Sequence, residues 1–168
     1  MGKEKQTDLK KTLSEYLKVI VVTVVLMGVF LSLVQISRVV GTSMEPNYHS
    51  GNIVLVDKQF YHLSDVAYKD VVVVKYNVSQ GENQIIKRVI GRPGDRISCK
   101  NHVLYRNGKE VKEYYIKEQM VDTNWTYDVP KGSLFVMGDN RNASKDSRMI
   151  GTINFKQRVV GKVFFKLF

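Results

Sequence analysis

The longest apolar stretch runs from Tyr16 to Ile36, after fifteen residues that are polar and charged and show no apolar periodicity. As a helix, Val19 to Ile36 would span roughly 27 Å at 1.5 Å per residue, close to the hydrocarbon thickness of a bilayer. The stretch is apolar all round, which suits a membrane span better than the core helix of a soluble domain. Lys18 can snorkel to the interface, and Tyr16 suits the headgroup belt. A cleaved signal peptide has the same ingredients. Here, however, the run exceeds the usual length, and no alanine precedes Ala67 to form an Ala-x-Ala site. The pattern predicts an uncleaved anchor: residues 1–15 a cytoplasmic tail, 16–36 a transmembrane helix, 37–168 an extracytoplasmic domain. The lysines before the span set that orientation by the positive-inside rule.

Beyond Arg38 the pattern changes to short apolar runs broken by turn residues, the signature of strands. Residues 52–57, 70–77, 84–90, 133–137 and 158–168 read as strands, and Arg92-Pro93-Gly94-Asp95 as a tight turn. Residues 102–111 carry Asn107-Gly108 at their centre and predict a hairpin. Residues 112–130 are polar and aromatic and suit a lid, a loop or a small subdomain. No soluble helix stands out. The fold class expected is mainly β, an antiparallel sheet domain folded over or partly closed into a barrel, with one amino-terminal transmembrane helix.

Charge narrows the partners. The formal net charge is +10, of which residues 1–18 supply only +2, with five lysines against three acids. The remaining +8 lies on the β domain, which would be drawn to nucleic acid or to anionic headgroups. With a membrane span and no finger-like Cys/His spacing, membrane lipid is the expected partner and nucleic acid is not. Cys99 is the only cysteine, so no internal disulfide and no cysteine-rich metal site can form. It reads as a buried or half-buried strand residue rather than a nucleophile.

The candidate chemistry centres on Gly41-Thr42-Ser43-Met44-Glu45-Pro46, where a hydroxyl sits on a Gly/Pro-bracketed turn close behind the apolar span. A serine needs a base within hydrogen-bond reach. His62 and His102 sit in unrelated contexts, and His49 is only six residues away along the same turn, a spacing that seldom gives the geometry. Lysine is the other option, provided its amine is neutral. That requires lowering its pKa by roughly three units, about 4 kcal/mol, which burial can supply. Lys87 alternates with Ile85 and Val89 on an apolar strand face. Arg88 shares its face with Ile86 and Ile90, but a guanidinium cannot serve as a base. On the residues alone, a snorkelling strand lysine or an ion-pair partner remains the weightier reading of Lys87. The polar cluster from Gly138 to Arg148 reads as a solvated loop whose Asp139 and Asp146 pair with arginines or cap amides. Its spacing matches no zinc or calcium loop.

Taken together and in order, five blocks resemble those of type I signal peptidases. They are Ser43-Met44-Glu45-Pro46, Gly51-Asn52-Ile53-Val54, Asp70 with the four valines after it, Lys87-Arg88-Val89-Ile90-Gly91-Arg92-Pro93-Gly94-Asp95, and Gly138-Asp139-Asn140-Arg141 through Ser144 to Asp146-Ser147-Arg148. The lysine at position 87 resembles the bacterial Ser/Lys type. The resemblance implies the signal-peptidase/LexA-like fold, Ser43 as nucleophile and Lys87 as general base. It implies that Ser144 orients the lysine amine, and that Asp139, Asp146 and Arg148 buttress that loop. Met44, Gln84, Ile85 and Ile86 are implied to bind substrate, with the Ser43 backbone N–H in the oxyanion hole. Gly41 stands where some members have a hydroxyl residue, which leaves the second oxyanion donor open. Asn47-Tyr48 replaces the more usual Thr-Leu. The second domain is expected to be reduced to residues near 98–130.

The implied partners are preproteins bearing signal peptides, cut after small-x-small (Ala-x-Ala) sites. No metal, cofactor or obligatory protein partner is expected, and the location implied is the cell membrane of a Gram-positive bacterium. The rival reading is a catalytically silent, membrane-anchored basic protein that binds surface polymers.

Overall fold

The computed structural model describes residues 2–59, 61–76 and 83–168, with side chains described from residue 12 onward and, in the last stretch, from residue 84. The chain divides into two compact units, one ending at Gln35 and the other running from Ile36 to Phe168. In the first, helix α1 covers Gly2–Leu33. Its segment Thr12–Leu33 is long and apolar enough to cross a bilayer. All described side chains from Thr12 to Ser32 are exposed. The two hydroxyls among them bond back to the helix, Thr23 Oγ1 to Val19 O at 2.8 Å and Ser32 Oγ to Val29 O at 2.7 Å. The helix starts earlier than the apolar pattern and stops sooner. Val34, Gln35 and Ile36, at the end of the apolar run, already belong to a strand.

The strands are β1 (Val34–Arg38), β2 (Ile53–Asp57), β3 (Val71–Tyr76), β4 (Asn83–Gly91), β5 (Arg96–Lys100), β6 (Val103–Arg106), β7 (Lys109–Glu110), β8 (Asn124–Asp128), β9 (Ser133–Met137), β10 (Ile153–Asn154) and β11 (Val159–Lys166). Seven form one sheet in the order β1-β2-β11-β3-β4-β9-β10, and four form a second in the order β7-β6-β5-β8. From β2 to β10, and throughout the second sheet, neighbours run antiparallel. The domain is mainly β, as the alternation of the sequence predicts.

The four valines of β3 show why a strand can be apolar without a break: both faces are covered. Val71 and Val73 join Val39, Met44, Val54, Val56, Ile86 and Val163 on one side. Val72 and Val74 join Val66, Val89, Leu134, Val136 and Ile153 on the other. A third cluster, with Ile90, Ile97, Leu104, Phe135 and Met137, ties the second sheet to β4 and β9. Cys99 is buried within it. The 112–130 stretch contains β8, whose Trp125 and Tyr127 rings lie against Phe135 at 5.8 and 5.1 Å between centroids. Two four-residue helices, α2 (Ser147–Ile150) and α3 (Phe155–Arg158), were not foreseen. Each starts on a side-chain cap, Asp146 accepting from Arg148 N and Asn154 from Gln157 N. One turn carries no apolar period to read.

Candidate functional site

Strand β4 and the turn after β1 bring Lys87 and Ser43 together. β4 pairs with β3 along its first half, Lys87 opposite Val72, and with β9 only from Arg88 onward. Among the described residues, no strand pairs with the β9-side edge of residues 84–87. Alternation sets Lys87 between Ile85 and Val89, and the residue is 2% exposed. Its amine donates to Ser43 Oγ at 2.7 Å and to Ile86 O at 2.7 Å. It has no ion-pair partner among the described residues. Burial therefore dominates and pulls the Lys87 pKa down to about 8, against a weaker upward pull from Asp146 and Asp139.

The serine turn is held by main-chain bonds. Met44 O accepts from Asn47 N and Tyr48 N, and Ser43 O accepts from Asn140 N at 3.0 Å. Asn140 Nδ2 also donates to Thr42 O at 3.1 Å. This close approach requires Gly138, because a Cβ there would collide with the Ser43 carbonyl oxygen and Ser144 Oγ. Gly41, at φ +91°, opens the turn in a conformation that favours glycine. Its N–H points to Ser50 Oγ at 3.4 Å.

Beside the pair lies a cavity of about 230 Å³ lined by Ser37, Arg38, Val39, Val40, Ser43, Val54, Val73, Gln84, Ile85, Ile86 and Lys87. Gln84, Ile85 and Ile86 are where the sequence reading puts substrate. Met44 is not on the wall: it is 1% exposed and sits in the apolar cluster that includes Ile86.

The 138–148 loop is exposed only at Asn142, Ala143 and Lys145. Asp139 and Asp146 are both fully buried. Asp139 receives Arg88 Nε at 2.7 Å and Nη2 at 2.5 Å. Asp146 receives Gly138 N at 3.0 Å and Arg148 Nη2 at 2.8 Å. Ser144, expected to orient the Lys87 amine, makes no hydrogen bond to it here. Its Oγ is buried and has no hydrogen-bond partner among the described residues. No histidine makes a hydrogen bond to the serine hydroxyl among the described residues: His49 is near Glu45, and His102 Nδ1 is 3.1 Å from Met120 O. No group of His, Cys, Asp and Glu suited to a metal is found among the described residues.

Several residues here escaped the sequence reading. Arg141 is buried and forms a two-pronged pair with Glu113 at 2.6 and 2.7 Å. Ser147 Oγ accepts from Val136 N. Asn47 Nδ2 donates to Tyr115 O and Asp139 Oδ2. Partners so far apart in the chain leave no mark in spacing. Only the unusual density of Asp, Asn and Arg after Gly138 hinted at a packed polar network.

The chain is also similar to known proteins along most of its length. The profile of the family described as "Signal peptidase, peptidase S26" matches residues 13–168. Signal peptidase I of Bacillus caldolyticus is 41% identical over 140 residues, covering 75% of each chain. Signal peptidase I of Bacillus licheniformis is 37% identical, covering 100% of this chain and 95% of its own. A crystal structure of a signal peptidase I from Enterococcus faecalis V583 superposes with a TM-score of 0.52 and 26% identity, over 59% of this chain and 97% of that one. A profile match along nearly the whole chain, and relatives well above 30% identity, show that the chain belongs to the signal peptidase family, peptidase S26, and is a serine peptidase.

Proposed function

We propose that the protein removes signal peptides from exported preproteins with Ser43 as nucleophile and Lys87 as general base. The observation that carries this is the 2.7 Å contact between a serine hydroxyl and the amine of a lysine that is 2% exposed and has no ion-pair partner among the described residues. With its pKa near 8, about a tenth of the amine is neutral at pH 7, against fewer than one in a thousand for a free lysine.

Neutral Lys87 takes the proton of Ser43 Oγ as that oxygen attacks the scissile carbonyl carbon. The Ser43 backbone N–H faces the developing oxyanion. When the C–N bond breaks, the Lys87 ammonium gives its proton to the leaving amine, and the signal peptide remains as an ester on Ser43. Lys87 then takes a proton from water as the water oxygen adds to the ester carbonyl; the bond from that carbon to Ser43 Oγ breaks, the Lys87 ammonium returns its proton to Oγ, and the signal peptide leaves with a free carboxylate. Asp139, Asp146 and Arg148 hold the loop against which the serine turn rests. Ser144 lies in that loop with an unspent hydroxyl.

The precursor enters as an extended strand between residues 37–40 and the open edge of β4, completing backbone bonds on both sides. Ile86 and the valines of the cavity favour small side chains before the cut, as in small-x-small sites. Segment Thr12–Leu33 anchors the enzyme in the cell membrane, amino terminus inside and residues 37–168 outside. Exposed Phe164, Phe165, Leu167 and Phe168 suit contact with lipid. Anchoring enzyme and substrate at one surface raises their effective concentration.

The test is cleavage of one precursor with an Ala-x-Ala site by the full-length protein in detergent or vesicles. Ser43→Ala and Lys87→Met are expected to abolish cleavage while the proteins stay folded. Near-normal cleavage by either variant rules out the pair.

A further inference from the structure

Asn47 occupies the last position of the serine turn, with its backbone N–H on Met44 O at 3.1 Å. Its side-chain amide has two hydrogens and spends both. Nδ2 donates to Asp139 Oδ2 at 2.8 Å and to Tyr115 O at 2.6 Å. The first acceptor belongs to the carboxylate held by Arg88, the residue after Lys87. The second belongs to the segment between β7 and β8. That segment meets the same loop and turn elsewhere, through Lys117 N to Asp139 O at 3.0 Å and Lys117 Nζ to Glu45 Oε2 at 2.9 Å.

We propose that Asn47 is a positioning residue for cleavage, which sets the Ser43 hydroxyl against the Lys87 amine by tying the serine turn to the Asp139 carboxylate and to the Tyr115 carbonyl. The inference rests on the Ser43/Lys87 reading. Three physical arguments support it.

Asp139 is fully buried, so a donor removed from it is not replaced by bulk water, and the cost falls on the local geometry. The path from Ser43 to Lys87 through this site is short: Ser43 to Asn47 along one turn, Asn47 to Asp139, Asp139 to Arg88, and Arg88 to its chain neighbour Lys87. A nucleophile and base at 2.7 Å tolerate little slack, since displacement of about 1 Å can cost on the order of a hundredfold in rate. Finally, an amide can serve two acceptors at once, whereas a threonine hydroxyl has a single hydrogen. The asparagine at this turn thus makes two ties where a single hydroxyl hydrogen would make one. It joins the turn to both the 138–148 loop and the 113–117 segment.

Charge gives the role a signature that a merely structural residue would lack. Asp139 pulls the Lys87 pKa upward, and an N–H donated to that carboxylate sets a dipole of opposite sign against its field. Losing Asn47 therefore moves the amine toward the charged form. Asn47→Ala removes both bonds, Asn47→Thr keeps one donor, and Asn47→Asp sets a second carboxylate against Asp139.

The experiment measures kcat, KM and the pH profile of kcat/KM for these variants in full-length protein with an Ala-x-Ala precursor peptide, alongside thermal unfolding. Ser43→Ala and Lys87→Met are run in parallel. Asn47→Ala is expected to lower kcat by roughly ten- to a hundredfold, with KM changed less than about twofold and the acid limb moved to higher pH. Asn47→Thr is expected to fall between it and the unmutated protein, and Asn47→Asp to show the largest limb shift. Unchanged kcat and pH profile in a folded Asn47→Ala protein overturn the proposal. So does a fall in rate that only follows a loss of folded protein, with the limb unmoved. Normal cleavage by Ser43→Ala or Lys87→Met would sink the underlying pair instead. If those two are inactive while Asn47→Ala behaves like the unmutated enzyme, only the role of Asn47 is lost.

Discussion

Lys87 and Arg88 are consecutive cations on β4, both largely out of water, and the fold treats them in opposite ways. Around Arg88, burial opposes the charge, but the two bonds it donates to Asp139 and the negative charge of that carboxylate outweigh burial and favour the protonated guanidinium further. Tyr115 adds a ring face 4.6 Å from the guanidinium carbon. Around Lys87 the contacts are one hydroxyl and one carbonyl, and burial wins. Desolvation is thus common to both neighbours, and placement of a carboxylate decides which one has its charge compensated. A site of this kind needs charge neutralised on one side of a strand and left uncompensated on the other.

Breaking the paired side gives the largest expected effect. Asp139→Ala strands Arg88 without its counter-charge and unties Asn47. A buried pair broken at one partner typically costs about 3–5 kcal/mol, so a substantial drop in unfolding midpoint and loss of cleavage are expected from chemical denaturation and peptide assays. A midpoint within error of the unmutated protein would show that the pair does not hold the loop.

Relieving the unpaired side should work in the other direction. The Lys87 amine has a pKa near 8 in the fold against an ordinary 10.5. The folded state therefore binds that proton more weakly, and the penalty is fully present below about pH 8. It fades as pH rises from there toward 10.5. Lys87→Met removes it, so the variant should be inactive yet more stable at neutral pH, by up to about 3 kcal/mol. Denaturant midpoints compared at pH 7 and pH 10 should show the gap narrowing. A gap that widens with pH would contradict a depressed amine.

The smallest effect sharpens the contrast. Glu45 and Lys117 form a 2.9 Å pair beside the same turn, but at the surface. Screened by water, it should matter little. Glu45→Gln is expected to leave the melting temperature and kcat nearly unchanged, and a large loss would mean that exposed pairs also hold the turn.

Much of this arrangement can be read in the sequence, unevenly. The four valines of β3 and the alternation about Lys87 announce strands because period and burial coincide there. Asn107-Gly108 marks its hairpin through backbone geometry alone. Spacing cannot show that Arg88, sharing a residue type with ordinary surface strands, finds Asp139 fifty-one positions later. It likewise cannot show that Glu113 reaches a buried Arg141. The Gly138–Arg148 loop looks solvated because its composition is polar, yet its buried charges are met by other protein groups, Asp139 by Arg88 and Asn47, Arg141 by Glu113 and Asp146 by Arg148. Ser144 differs, with its hydroxyl unspent. At the end of α1, the apolar pattern continues while the backbone changes to a strand, since hydrophobicity alone does not distinguish a helix from an apolar strand edge.

The most direct test of the Lys87 amine is its own titration, followed by heteronuclear NMR of the full-length protein carrying labelled lysine in detergent micelles, with Lys87→Met assigning the signal. A midpoint near pH 8 is expected, together with a matching acid limb in kcat/KM. A midpoint at the ordinary lysine value of 10.5, in a protein that still cleaves precursors, would contradict a neutral Lys87 as the base.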